Sequence, residues 1–204
     1  MSTSESTTRL SAQERRELIL RKSAELFAEL GYHDASTKKL ATASGITEPV
    51  LYQHFSSKKK LFITVVRDFG QLFSKSFKQQ TTISQNSSEI VMLHQTLVDY
   101  YELSQKHIEM RNIIFEAMAF RDEDISVAVH QNIQDIAVFV YELLETASKT
   151  KRLASGIDVE AATWNYVSMI LMVHVSLLSD GYYGHSQTSF QRMADFWLEA
   201  VKKR

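Results

Sequence analysis

Ser36–Phe55, STKKLATASGITEPVLYQHF, sets two short helical patterns on either side of a single glycine. Ser36 is a favoured helix N-cap, and Leu40, Ala41 and Ser44 fall on one side of the helix it would open. Gly45 tolerates the left-handed backbone of a sharp helix exit, and Ile46 beyond it can pack back into a small core. Thr47 is placed to cap a second helix, whose first turn holds Glu48 and the chain's single proline, Pro49. Proline is tolerated there because the first helical N–H groups have no intrahelical acceptor. Leu51 and Phe55, four residues apart, share a face that can anchor this helix, leaving Glu48, Pro49, Val50, Tyr52, Gln53 and His54 on its open side and flanks. This layout suits a helix-turn-helix that reads DNA.

The segments TKKLA, the G-I-T turn, PVLYQHF and the following SKKKLF resemble the DNA-binding domain of the TetR/AcrR family. The likeness is densest from Leu18 to Phe62, where LILRKSAELFAELGYHDAS resembles the family's first helix and its Gly-Tyr exit. Beyond it the chain matches in length and helical layout. The resemblance implies a recognition helix in the major groove, with base-edge or thymine-methyl contacts from Glu48, Pro49 and Val50. It implies phosphate contacts from Thr47, Tyr52 and His54, and phosphate clamps at Lys38 and Lys58 on the two edges of the groove; Ser36 completes the expected DNA-binding set. Side-chain chemistry agrees: a glutamate can accept from the cytosine amino group, and proline and valine offer apolar surface to a thymine methyl. Such base contacts specify sequence, whereas phosphate contacts position the protein. The chain departs from the pattern at Lys39, Lys59 and Lys60, where many members carry acids. Lysines at a helix N-terminus are disfavoured by the macrodipole by roughly 0.3–1 kcal/mol each, so a phosphate backbone is the partner that would relieve Lys58, Lys59 and Lys60.

The 204 residues, 44% hydrophobic and 23% charged, have ordinary globular usage and room for one or two domains. Net charge is only −1, but residues 1–60 carry ten Lys/Arg against seven Asp/Glu, and residues 61–204 carry thirteen against seventeen. A basic end beside an acidic remainder fits one DNA-facing end. The absence of cysteine excludes disulfides and thiolate metal sites. MSTSESTTRLSAQE lacks the apolar stretch of a signal peptide, and the longest apolar-rich run, Val167 to Leu178, is shorter than the roughly 20 residues of a membrane span. A cytoplasmic protein with no membrane partner is expected.

The fold expected is all-α: a flexible tail over 1–10, a three-helix DNA-binding domain with the helix-turn-helix over 11–57, and a larger helical effector-binding and dimerisation domain over 58–204. Ser11 and Glu14 form an S-x-x-E capping box that opens the first helix, Ile19, Ser23, Leu26, Phe27 and Leu30 make its buried stripe, and Gly31 ends it. A fourth helix is predicted over 57–79, with Leu61, Phe62, Val65, Val66, Phe69, Leu72, Phe73 and Phe77 at helical spacing. This helix joins the two domains and can act as a lever between them. Thr81–Ser88 reads as a loop. Further helices are predicted near 89–104, 107–120, 124–149, 158–180 and 187–203, with breaks at Gln105–Lys106, Arg121–Asp122, Leu153–Gly156 and Gly181–Gly184.

The helix over 158–180 is apolar all round, and the last carries Phe190, Met193, Phe196, Trp197, Ala200 and Val201, too broad and aromatic a stripe to leave in water. The resemblance implies that these two helices pair with their copies in a homodimer; core helices of a monomer would show the same pattern. Large, adaptable side chains suited to an apolar effector cavity include Tyr100, Ile114, Phe120 and Leu144, with Tyr101, Phe115, Met118, Tyr141 and Met172 as the candidate ligand-binding set. A fatty-acyl compound or lipophilic drug would suit it. His94, His107, His130 and His174 lack any spacing that requires a metal, and Glu116, within IIFEAMAF, needs a partner such as Arg111 or a ligand group if buried. No nucleophile elbow, phosphate loop, HExxH or other catalytic pattern occurs, so no enzyme and no cofactor are expected. The function read from the chain is a ligand-responsive transcriptional regulator, a repressor in its commoner form, that binds a palindromic operator in double-stranded DNA and is released by a small apolar effector. The alternatives are a helical sensor or adaptor that has lost sequence-specific DNA binding, and a metal-responsive regulator.

Overall fold

A computed structural model describes residues 10–83, 88–175 and 187–203, with the backbone alone over 72–83. The chain divides into two compact units, Met1–Val65 and Val66–Arg204. In the first, α1 spans Ala12–Asp34, α2 Thr37–Ala43 and α3 Glu48–His54, followed by the opening turns of α4, Lys58–Ile83. The expected boundary after residue 57 stands eight residues earlier than this division. Physically, the start of α4 belongs to the first core: Leu61, Phe62 and Val65 are buried, and Phe62 meets Phe27 edge-on at 5.0 Å between ring centroids.

Local signals account for the helix ends. The Ser11 hydroxyl accepts from the Glu14 amide at 3.2 Å, and the Ser11 amide donates to the Glu14 carboxylate at 2.8 Å, completing the capping box. That bond from the Ser11 backbone holds the Glu14 carboxyl below its usual range. Gly31 interrupts α1 at φ 75°, ψ 164°, a region essentially closed to side chains, so the last turn continues on a new axis. Of the expected stripe, Ile19, Ser23 and Phe27 are buried, together with Ala24, while Leu26 and Leu30 are half-buried. Ser36 caps α2 through the Lys39 amide at 3.3 Å, and Gly45 makes the turn at φ 65°. Thr47 has the extended backbone of an N-cap, but its hydroxyl makes no capping bond. Pro49, two residues on, has no N–H to donate, which removes one of the two amides such a hydroxyl would take.

In the second unit, α4 continues from Val66, α5 spans Glu89–Lys106, α6 Ile108–Ala119, α7 Glu123–Lys149, α8 Val159–Val175 and α9 Gln187–Val201. Ser88, Asp122 and Asp158 cap α5, α7 and α8 through the amides of Val91, Ile125 and Ala161. The break expected at Gln105–Lys106 falls at His107, which ends α5 and starts α6. Of the expected 81–88 loop, Thr81–Ile83 belong to α4 and residues 84–87 lie outside the described residues, as do residues 1–9, the Gly181–Gly184 break and the side chains of Leu72, Phe73 and Phe77. Leu93, Leu97, Val140, Leu144, Tyr166, Ile170 and Trp197 form the centre of the second core. Two of its buried polar groups bond to backbone: the Tyr166 hydroxyl donates to the Leu93 carbonyl at 2.8 Å, and the Trp197 indole donates to the Ala162 carbonyl at 3.4 Å. Backbone bonds from Ala154 to Val201 and from Lys203 to Arg152, both 2.9 Å, tie the end of α9 to the segment between α7 and α8.

A Gly31→Ala substitution puts a Cβ on the φ 75°, ψ 164° conformation and is expected to lower stability by about 1–3 kcal/mol, read as a lower urea midpoint at unchanged slope.

Candidate functional site

The recognition helix α3 is held from behind and left open in front. Leu51 and Phe55, 2% and 5% exposed, anchor it to Leu40 and the rest of the first core. Arg16, on α1, donates from Nη1 to the His54 carbonyl at 2.9 Å and lays its guanidinium 4.2 Å from the centre of the Phe55 ring. A cation at a helix C-terminus satisfies a carbonyl that lacks an intrahelical donor and complements the macrodipole. At the other end, the Thr37 hydroxyl donates to the Glu48 carboxylate at 2.6 Å, joining the first turns of α2 and α3. Glu48 is thereby oriented, with its second oxygen unused by that bond. Sequence reading did not single out Arg16 or Thr37, whose partners lie 38 and 11 residues away.

On the open side, Ser36, Lys38, Thr47, Pro49 and Tyr52 are exposed, and Glu48, Val50 and His54 are partly buried. Tyr52 is 48% exposed, unusually open for a large ring, and lies about 100° around the helix from buried Leu51. Lys58 is placed differently from the others. Its ammonium donates to the Tyr32 carbonyl at 2.7 Å and the His33 carbonyl at 3.3 Å, and sits 4.4 Å from the Tyr32 ring centre. It closes the end of α1 as Arg16 closes the end of α3. Lys39 likewise donates to the Asp34 carbonyl at 3.2 Å.

In the second unit, α4 to α8 surround an apolar cavity of about 40 Å³ lined by Phe69, Met110, Ile114, Met118, Ile136 and Leu171, with Tyr100, Asn132 and His174 as its polar groups. Of the five candidate ligand residues, Met118 lines it. Tyr101 instead stacks on Phe190 at 4.9 Å, Phe115 is half-buried outside the lining, and Tyr141 and Met172 are 42% and 37% exposed. Gly70 permits a close approach at the cavity wall: a Cβ there would overlap the Asn132 carboxamide, which donates to the Val66 carbonyl at 2.9 Å. His174, 3% exposed, bonds through Nε2 to the Tyr100 hydroxyl at 2.5 Å. Burial lowers its pKa to about 4, opposed by the Arg111 backbone and reinforced by the nearby Arg111 charge. Burial also raises the Tyr100 phenol well above its ordinary range, so the hydroxyl keeps its proton. The other histidines of interest are dispersed, His94 to Asp195 at 2.8 Å and His107 to Glu109 at 3.1 Å. Among the described residues no three His, Asp or Glu converge, and no helix is long and apolar enough to cross a membrane.

A histidine with a depressed folded pKa stabilises the fold fully above its unfolded value near 6.5 and loses that contribution as pH falls toward 4. The expected loss is roughly 3 kcal/mol at pH 4, and His174→Gln should remove that part of the pH dependence in urea melts.

Three comparisons place the chain among known proteins. Residues 19–65 match the family model of bacterial regulatory proteins of the tetR family. The HTH-type transcriptional activator FasR of Mycolicibacterium smegmatis is 28% identical over 165 residues, covering 76% of this chain and 74% of that protein. Among solved structures, the transcriptional regulator FadR from Bacillus subtilis in complex with stearoyl-CoA superposes with a TM-score of 0.78 at 14% identity, covering 91% of this chain and 98% of that one. SmeT, the repressor of the Stenotrophomonas maltophilia multidrug efflux pump SmeDEF, gives 0.76 at 17% identity, covering 92% and 90%. The likeness to FadR and SmeT concerns the fold. With its braced helix-turn-helix inside the matched segment, residues 19–65 carry a DNA-binding domain of the tetR family of bacterial regulatory proteins, and the chain as a whole is similar to HTH-type transcriptional regulators.

Proposed function

We propose that this regulator is a cytoplasmic homodimer that represses by binding a palindromic operator and lets go when a largely apolar small molecule enters the second unit. The observation that carries the proposal is the open face of α3, where Pro49 and Tyr52 are exposed and Val50 is partly so, while Leu51 and Phe55 are buried. Glu48, held by Thr37, presents its free carboxylate oxygen to a cytosine amino group, and Pro49 and Val50 meet thymine methyls. Ser36, Lys38, Thr47, Tyr52 and His54 hold phosphates, Thr47 with a hydroxyl that capping does not use. Lys58 serves the same grip indirectly when its ammonium stays on Tyr32 and His33, by fixing the corner on which α4 starts.

Support for the dimer comes from α8 and α9. Trp164, Met172 and Val175 on α8 and Met193 and Phe196 on α9 are exposed, Phe196 by 78%, although the opposite faces of both helices are core. A groove of about 550 Å³ lies along this surface, lined by Ile157, Met169, Met193 and Phe196 among others. Five large apolar side chains in water are explained by a second copy of the same two helices. A two-fold dimer presents two recognition helices to half-sites about one helical turn apart, or a multiple of it.

For release, α4 is continuous from Lys58 to the cavity residues Phe69 and Gly70. A cavity of about 40 Å³ is far below the roughly 300–1,000 Å³ of small-molecule sites, so an effector has to displace its lining. Met118 and Leu171 can repack, whereas the Gly70–Asn132 contact pins α4 to α7. An effector that fits only the rearranged lining favours a different α4 position and hence a different spacing of the reading helices.

Retardation of the DNA upstream of the chain's own gene tests this, with apolar compounds added to release it. Binding that falls steeply with salt and is reversed by such a compound is expected; salt-insensitive binding, or release by small polar compounds alone, contradicts the proposal. Lys38→Ala should lower the salt slope by about one, whereas Glu48→Gln should change base preference by about 1–3 kcal/mol at one position, with Thr37→Val acting in the same direction. Phe196→Glu should convert the dimer to monomer in light scattering and abolish operator binding without unfolding the chain.

A further inference from the structure

Leu51, buried to 2% exposure, fixes the side of α3 that faces the first core. At about 100° per residue, Pro49 and Gln53, two positions to either side of Leu51, are each turned about 200° from it. They therefore share the outermost line of the helix, one turn apart, and both are exposed. Val50 and Tyr52, next to Leu51 in the chain, stand about 100° to either side of it, on the flanks. For a helix lying in the major groove, side chains turned away from the protein's own core face the base edges, and those on the flanks face the phosphate walls. Of the two outermost residues, Pro49 offers only an apolar surface. Gln53 carries a complete carboxamide.

Several polar side chains of the motif are already committed to the protein. The Thr37 hydroxyl donates to the Glu48 carboxylate at 2.6 Å, the Thr42 hydroxyl to the Lys38 carbonyl at 2.9 Å, and the Lys39 ammonium to the Asp34 carbonyl at 3.2 Å. Gln53 makes no hydrogen bond to any of the described residues, so its acceptor and both its donors are open to a partner from outside. A carboxamide holds an oxygen acceptor and an N–H donor side by side in one plane. In the major groove adenine offers the matching pair, an N7 acceptor beside an N6–H donor. Guanine shows two acceptors, cytosine a donor, and thymine an acceptor beside a methyl.

We propose that Gln53 is a specificity-determining residue, reading one adenine in each half-site through N6 and N7. Pro49, four residues back and about 6 Å away along the helix axis, meets a base pair about two steps off, since base pairs rise about 3.4 Å each. This inference rests on the reading of α3 as the recognition helix and adds the base that its outermost polar side chain selects.

The operator selected from random duplexes, resynthesised with each of the four base pairs at every half-site position in turn, tests it by fluorescence anisotropy with the full-length protein. At one position adenine should be preferred about 10- to 100-fold, the discrimination of one bidentate contact. Gln53→Ala should bring the four bases at that position to within about twofold and leave preferences elsewhere unchanged, and Gln53→Arg should make guanine the preferred base there. An unchanged thermal midpoint checks that the variants fold. If Gln53→Ala weakens every sequence alike, the residue holds phosphate and the adenine assignment is overturned while the recognition helix stands. Loss of preference at a position read as guanine or cytosine overturns it equally. If the wild-type protein selects no operator, this inference and the reading of α3 fall together.

Discussion

A seven-residue helix has almost no stability of its own in water, and both halves of the helix-turn-helix are that short. Their angle and exposure are therefore imposed from outside, by the shared core of Leu40, Leu51, Phe55, Phe27 and Phe62 and by two cations that close helix ends. Arg16 bonds the last carbonyl of α3, and Lys58 bonds the last carbonyls of α1 before its Asp34 end. Each cation also lies over an aromatic ring, a geometry that holds the side chain's stem against the core. The unit thus sorts its positive charge. Arg16, Lys39 and Lys58 are engaged with backbone carbonyls, while Lys38 extends from the exposed side of α2 toward solvent.

The second unit obeys the opposite constraint, since its core is large enough to tolerate polar groups and uses them as markers. Tyr166 and Trp197 are fully bonded and serve packing. Tyr100, His174 and Asn132 gather instead at a small cavity, with the Tyr100 hydroxyl bonded to His174 and the Asn132 carboxamide to the Val66 carbonyl.

Local chemistry made much of the fold legible. The Ser11–Glu14 box, the Ser36 cap, Gly31 and Gly45 each act over three or four residues, and all appear where the sequence places them. Thr47 shows the limit of such reading: its hydroxyl makes no capping bond, and Pro49, two residues on, lacks one of the two amides that capping could use. The braces escape sequence reading for a different reason: Arg16–His54 and Lys58–Tyr32 join residues 38 and 26 apart, and nothing local announces them. Which side chain of a helix lines the cavity turns on helical phase. Tyr100, Ile114 and Leu171 line the cavity, and each is the immediate neighbour of an expected ligand residue, Tyr101, Phe115 and Met172. One residue is a rotation of about 100° around a helix, enough to exchange cavity for packing or solvent. Composition finds the right helices here, and only packing finds the right faces.

Selection of binding sites from a library of random DNA duplexes by the purified full-length chain tests the central claim most directly. A braced, outward-facing α3 predicts enrichment of one inverted-repeat sequence whose half-sites lie about one helical turn, or a multiple of it, apart. Enrichment of no sequence, with every duplex retained equally and released equally by salt, would contradict a reading helix on this face.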